Sequence, residues 1–209
     1  LVCPSDPNDR QRLNSSTGLP EHYPITYGMN VGQYLIWNPV TRQDGGGAFA
    51  PNQKLTTAAY QDGLSNTLAM SEVKAFQRRV HDATMPAAAP GSPSAVSGSV
   101  GGGAFADTGH TEWVCGRAIH VGFTTLFPPN TRVPHSVGGV EYDFDACSSR
   151  EGRNQVDTTY GVITSRSYHS GGVNVLRMDG SVKFTANSVP QATWQALGTR
   201  AGGEVVGDY

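Results

Sequence analysis

From Val173 to Ala186 the chain alternates apolar and polar residues around Asp179-Gly180, reading VNVLRM before the pair and SVKFTA after it. Period-two alternation marks a half-buried strand, and Asp-Gly readily takes the two positive φ values of a type I′ turn. The pattern predicts a β-hairpin. With Asp179 and Gly180 as the two loop residues, Arg177 faces Val182, Leu176 faces Lys183 and Val175 faces Phe184. One face then carries Val173, Val175, Val182, Phe184 and Ala186 and is expected to be buried. Asn174, Met178, Ser181, Lys183 and Thr185 fall on the other.

The remaining pattern is that of short elements broken by turns. Residues 23–38 hold apolar positions interrupted by Gly28 and Gly32, as one or two strands would. Asn30, next to Gly32, is suited to satisfying backbone groups in a tight bend. Residues 41–54 form a glycine-rich loop without the Gly-Lys-Ser/Thr of a phosphate cradle. Asp62-Gly63 marks a turn, followed by a strand with Leu68, Met70 and Val73 inward and Glu72 free to cap or pair near that turn. Residues 84–104 are low in complexity and nearly uncharged, which predicts a surface loop or insertion outside the core. Residues 111–131 are the richest apolar stretch and predict two strands parted near Gly116 and ended by Pro128-Pro129, with Trp113, Cys115, Val121 and Phe123 among their apolar positions. Ser188, Pro190 and Gln191 read as the start of a helix running through Leu197, with Gly198 as its left-handed cap. These elements predict an α+β fold: a single globular domain over residues 1–209, mainly antiparallel sheet with long loops and a short C-terminal helix.

Composition supports that reading. The 209 residues include 26 Gly and 13 Pro, and only 15% are charged, which suits a turn-rich sheet better than a helical bundle. A net charge of −2 offers no electrostatic attraction to nucleic acid or an anionic membrane.

Three groups of residues invite chemistry. His169 and Asp179 resemble a catalytic pair, but a strand lies between them and separates them by roughly 20 Å, so both are expected to be structural, along with Gly171, Gly172 and Gly180. Glu141, Asp143 and Asp145 alternate, so a strand places three carboxylates on one face. Such a face must be solvated, paired with cations, or gathered around a hard ion, and calcium is the one cofactor the sequence raises. His120 reads as a strand residue facing solvent or as a satisfied core histidine. Nucleophile motifs and paired histidines at ligand spacing are missing from the sequence, so no enzyme and no zinc site is expected. Exposed Trp37, Trp113 or Tyr160 beside the acidic strand would instead suit a carbohydrate-binding module.

The segment 169–184, a histidine followed by two glycines, Val-Asn-Val-Leu, then Asp-Gly-Ser-Val and an aromatic, resembles the C-terminal signature of the H-X9-DG domain proteins of planctomycete-type bacteria. LVCPSDP at 1–7, TYGMNVG at 26–32, DGLSNTLAMSE at 62–72, GFTTLFPPNT at 122–131 and VEYDFDACSSREG at 140–152 are similar to further segments of that family. The resemblance implies a prepilin-like or pseudopilin-like globular domain whose apolar N-terminal helix lies upstream of Leu1. It further implies an extracellular, cell-surface or periplasmic location, self-assembly into a filament or secretion apparatus as homo-oligomeric subunits, and membrane attachment only through that helix. If the protein is exported, a Cys115–Cys147 disulfide is favoured, with Cys3 pairing upstream; the alternative is three free thiols.

Overall fold

The computed structural model describes residues 2–149 and 155–204. The chain begins with a small two-stranded sheet of β1 (Arg12–Leu13) and β2 (Pro20–His22). It then alternates between two larger sheets. β3 (Tyr27–Asn30) lies in one and β4 (Gly32–Asn38) in the other, separated by Val31 alone. Buried Asn30 fixes this crossing, as its neighbouring glycine suggested. Its Oδ1 accepts from the Gly32 amide at 3.0 Å, while Nδ2 donates to the carbonyls of Leu68 at 2.8 Å and Gly198 at 3.1 Å.

The following elements are β5 (Gln43–Gly46), β6 (Leu68–Glu72), β7 (Gln77–His81), α1 (Pro93–Ser99), β8 (Ala104–Gly109), α2 (Ala118–Val121), β9 (Gly122–Phe123), β10 (Pro134–Val137), β11 (Val140–Cys147), β12 (Thr159–Val162), β13 (Gly172–Arg177), β14 (Val182–Ala186) and α3 (Gln191–Leu197). The first large sheet runs β5-β4-β12-β11-β7-β8, with β10 also on β11; the second runs β14-β13-β6-β3-β9. The pairings are antiparallel except for β7 with β11 and β3 with β9. The fold is thus mostly sheet with few, short helices. None of the helices among the described residues is long and apolar enough to cross a membrane.

Three apolar clusters hold these layers. Val173 and Val175 of β13 pack with Leu68, Phe123, Trp194 and Leu197, so α3 covers one face of the five-stranded sheet. Tyr34, Val80, Phe144 and Val162 of the larger sheet pack with Val96 of α1. Ile36, Trp37, Cys147 and Ile163 close around α2.

The C-terminal hairpin forms, but one residue out of the expected register. Its pairs are Leu176 with Val182, Val175 with Lys183, Asn174 with Phe184, and Val173 with Thr185. The Gly180 amide bonds to the Arg177 carbonyl at 3.0 Å, and the Arg177 amide to the Ser181 carbonyl at 2.9 Å. Met178 and Asp179 therefore occupy the turn, with Gly180 following at φ +86°, where an added Cβ would touch nothing and only backbone strain would oppose it. This is the three-residue loop that ends in a left-handed residue, not the two-residue type I′ loop. The slip moves every β14 side chain to the opposite face: Thr185 is buried beside Val173, whereas Val182 is 69% and Phe184 48% exposed.

Other expectations fail for local reasons. Residues 84–104 contain α1, and Val96 is fully buried, so this uncharged stretch contributes to the core. The second strand expected within 111–131 is mostly the helical turn α2; a buried run this short gives no periodicity to tell helix from strand. Trp113, expected at an apolar strand position, is 62% exposed. α3 starts from Pro190 without a side-chain cap, so Ser188 does not act as one, and Gly198 is right-handed at φ −77°. Glycine is needed at 198 because a Cβ would stand 1.9 Å from Thr125 Oγ1.

Candidate functional site

Residues directly opposite each other on antiparallel strands share a face. Tyr27 pairs with Glu72, Met29 with Met70, Met70 with Leu176, Leu176 with Val182, and Asn174 with Phe184. These side chains therefore form the face of the five-stranded sheet that α3 does not cover. It is apolar apart from Glu72 and Asn174. A groove of about 560 Å³ runs along it between Tyr23, Ile25, Met29, Met70, Trp113 and Val121, and a second of about 230 Å³ continues past Leu176 and Val182.

At the end of this face three side chains from distant parts of the chain converge. His169 Nε2 lies 3.0 Å from Glu72 Oε1 and 3.4 Å from Cys3 Sγ. Glu72 occupies the last position of β6 and is fixed by the Asn174 amide, which donates to its other oxygen at 2.7 Å. The Cys3 amide donates to Thr26 Oγ1, and the His169 amide donates to Ser167 Oγ at 3.1 Å. Cys3 and Glu72 are buried, while the His169 side chain is 31% exposed. Tyr27 adjoins the group: burial, together with the proximity of Cys3 and Glu72, pushes its phenol up to about 12, so it stays protonated.

A separate ionic layer lies inside the larger sheet. Arg166 is almost completely buried and binds Asp143 through Nε at 3.0 Å and Nη2 at 2.7 Å, and Asp145 through Nη1. Its burial opposes the charge, but the carboxylates of Asp145 and Asp143 outweigh that and hold its pKa above the ordinary value. His110 Nε2 stands 3.8 Å from Asp145 Oδ2. Beyond it, Glu112 meets Arg12 at 2.6 Å, Arg117 at 3.1 Å and His120 at 3.3 Å. Burial works against the Glu112 charge, yet the Arg12 hydrogen bond and the neighbouring cations hold its carboxyl down at about 2. Burial pushes His120 down to about 3, against the pull of Glu112.

Of the three arrangements open to the carboxylate face (solvation, pairing with cations, or a calcium ion), the structure shows pairing with cations: Asp143 and Asp145 with Arg166, and Glu141 with Arg132 at 2.7 Å. An ion there would have to displace these guanidinium groups. The expected Cys115–Cys147 disulfide is not formed, and neither cysteine is bridged to Cys3. Cys147 points into the core beside Ile36 and Ile163, whereas Cys115 sits in a turn where Arg117 Nε donates to its sulfur at 2.9 Å. Residues 150–152 of the segment 140–152 and Leu1 lie outside the described residues.

His169 and Asp179 stay apart. The six residues of β13 between them span about 20 Å. Asp179 Oδ1 accepts from the amide and hydroxyl of Ser181 at the turn, while Gly171, at φ +82°, and Gly172 lead into β13. His120 is a core histidine on α2. Trp37 is buried and Tyr160 stacks on Tyr34 with ring centroids 5.2 Å apart, so these two do not join Trp113 in an exposed aromatic platform. Sequence reasoning singled out CPSDP, the segment ending in Glu72, and His169, but separations of 69 and 97 residues leave no spacing rule to join them. Arg166 carried no signal at all.

The family model described as SBP_bac_10, Protein of unknown function (DUF1559), matches residues 1–192. No curated protein and no solved structure matches the chain.

Proposed function

This chain belongs to the DUF1559 family of proteins of unknown function, and we propose that it is the globular head of a prepilin-like or pseudopilin-like subunit that acts by assembly rather than by catalysis. The H-X9-DG resemblance leads to this reading. One observation supports it physically: the apolar face of the five-stranded sheet carries no covering element among the described residues. Exposed Val182, Phe184 and Trp113 and the groove beside Met29 and Met70 form the contiguous apolar surface that marks an interaction site. The upstream apolar helix implied by the resemblance would lie along this face, starting from the end where Cys3 sits. Subunits would then associate outside the cytoplasm through that helix, with the larger sheet turned outward.

Electron microscopy of the full-length native protein tests this directly. The parent should form linear or helical assemblies. Met70→Lys with Val182→Lys should abolish them, while the isolated domain keeps its melting temperature. A monodisperse particle that retains its N-terminal helix, or assembly indifferent to the two lysines, overturns the reading.

A further inference from the structure

We propose that Cys3, Glu72 and His169 form a binding site for a divalent transition-metal ion of the zinc class, held through Sγ, a carboxylate oxygen and Nε2. Among the described residues this is the one group of three such side chains whose donor atoms all lie within 4.8 Å of one another. A thiolate, an imidazole and a carboxylate are the donor types that zinc accepts, and three protein donors leave a fourth position for solvent. The partly exposed His169 ring lies on the side from which an ion and a water would arrive.

The distances are close to what an ion requires. Bonds of about 2.0–2.1 Å to nitrogen and oxygen and about 2.3 Å to sulfur, at tetrahedral angles, set the donors about 3.4 Å apart for N···O and about 3.6 Å for N···S. The observed separations are 3.0 Å and 3.4 Å. The ion fits if His169 withdraws by a few tenths of an ångström, which an exposed ring can do.

The surroundings suit the same purpose. The Asn174 amide holds the Glu72 carboxylate, as outer partners of carboxylate ligands do in protein metal centres, and the Cys3 amide ties the chain next to the sulfur to Thr26. A relay for nucleophilic catalysis is a poorer match. In such a relay the thiol and the carboxylate engage opposite nitrogens of the imidazole, whereas here both face Nε2. Binding would replace the thiol proton, released to solvent, and would use the Nε2 lone pair of a neutral imidazole that keeps its proton on Nδ1, so affinity should fall on acidification.

The reduced chain should be titrated with Co²⁺ as a spectroscopic probe. One equivalent is expected to bind with a near-ultraviolet thiolate-to-cobalt charge-transfer band and the intense visible bands of a tetrahedral ion, and Zn²⁺ should displace it. Cys3→Ser should remove the charge-transfer band, although Cys115 and Cys147 remain. Glu72→Gln and His169→Asn should each weaken cobalt binding by at least about 100-fold, the upper end of what outer-shell changes cost. If a variant fails to fold, alkylation of the reduced parent decides: Zn²⁺ should slow modification of Cys3 and leave that of Cys115 unchanged. A parent without the cobalt bands, bands that survive Cys3→Ser, or Cys3 alkylation indifferent to Zn²⁺ overturns the site.

Discussion

Arg166→Met should be among the most destabilising single changes available. The arginine pairs with Asp145, which is 1% exposed, and with Asp143, whose side chain is 33% exposed. After the change, Asp143 can turn to water and lose little. Asp145 cannot, and it keeps only the Thr164 amide at 3.1 Å and the more distant His110. Stranding one member of a buried ion pair costs about 3–5 kcal/mol, and in a chain of this size each kcal/mol moves the melting temperature by about 2–4 °C. The expected drop is therefore roughly 6–20 °C, read by circular dichroism and by urea unfolding at neutral pH. Adding Asp145→Asn should recover a substantial part of it, because the amide keeps an acceptor for Thr164 and carries no charge. If the single change lowers the melting temperature by less than about 2 °C, or if the second adds to the loss, the buried pair is not what holds this layer together.

Acid should unfold the protein through Glu112 and His120. The unfolded chain protonates His120 near 6.5, but the folded chain does so only at about 3, so the unfolded state binds more protons between these values and stability falls as pH drops through that window. Glu112 contributes fully above its ordinary 4.5 and loses that contribution as pH falls towards about 2. His120→Leu should flatten the decline in urea midpoint from about pH 7 to about pH 5; an unchanged slope would remove His120 from the account. The hairpin register gives a second contrast. Val175→Ala should cost about 2 kcal/mol, whereas Phe184→Ala on the exposed face should cost less than about 1 kcal/mol, and equal costs in equilibrium unfolding would restore the two-residue turn.

Much of the architecture is legible in local pattern. The hairpin over 173–186, the bend at Asn30, the strand ending at Glu72 and the helix ending at Leu197 all follow from alternation and turn chemistry. What local pattern cannot supply is the difference between two adjacent loop geometries. Asp179-Gly180 suits either a two-residue turn or the last two residues of a three-residue loop, and the choice reverses which of Phe184 and Thr185 is buried. The uncharged stretch around Val96 reads as loop because its single core side chain has no periodic partner. The convergence at His169 is set by tertiary structure alone, since Cys3 and Glu72 reach it through the order of strands. The acidic strand showed that cations were one solution, but its cation, Arg166, lies in a different segment about 20 residues away.

The strand order also bears on how the protein is made. β6 sits between β3 and β13, and β12 joins β4 to β11, so both sheets interleave early and late parts of the chain. A nascent chain extending to β11 has neither sheet in closed form, and the inner face around Val173 stays wet until Trp194 arrives. A domain generally folds as a unit, once the whole of it has been made. Here the two sheets are both closed only once β14 and α3 have been made, so the chain should fold late in its synthesis.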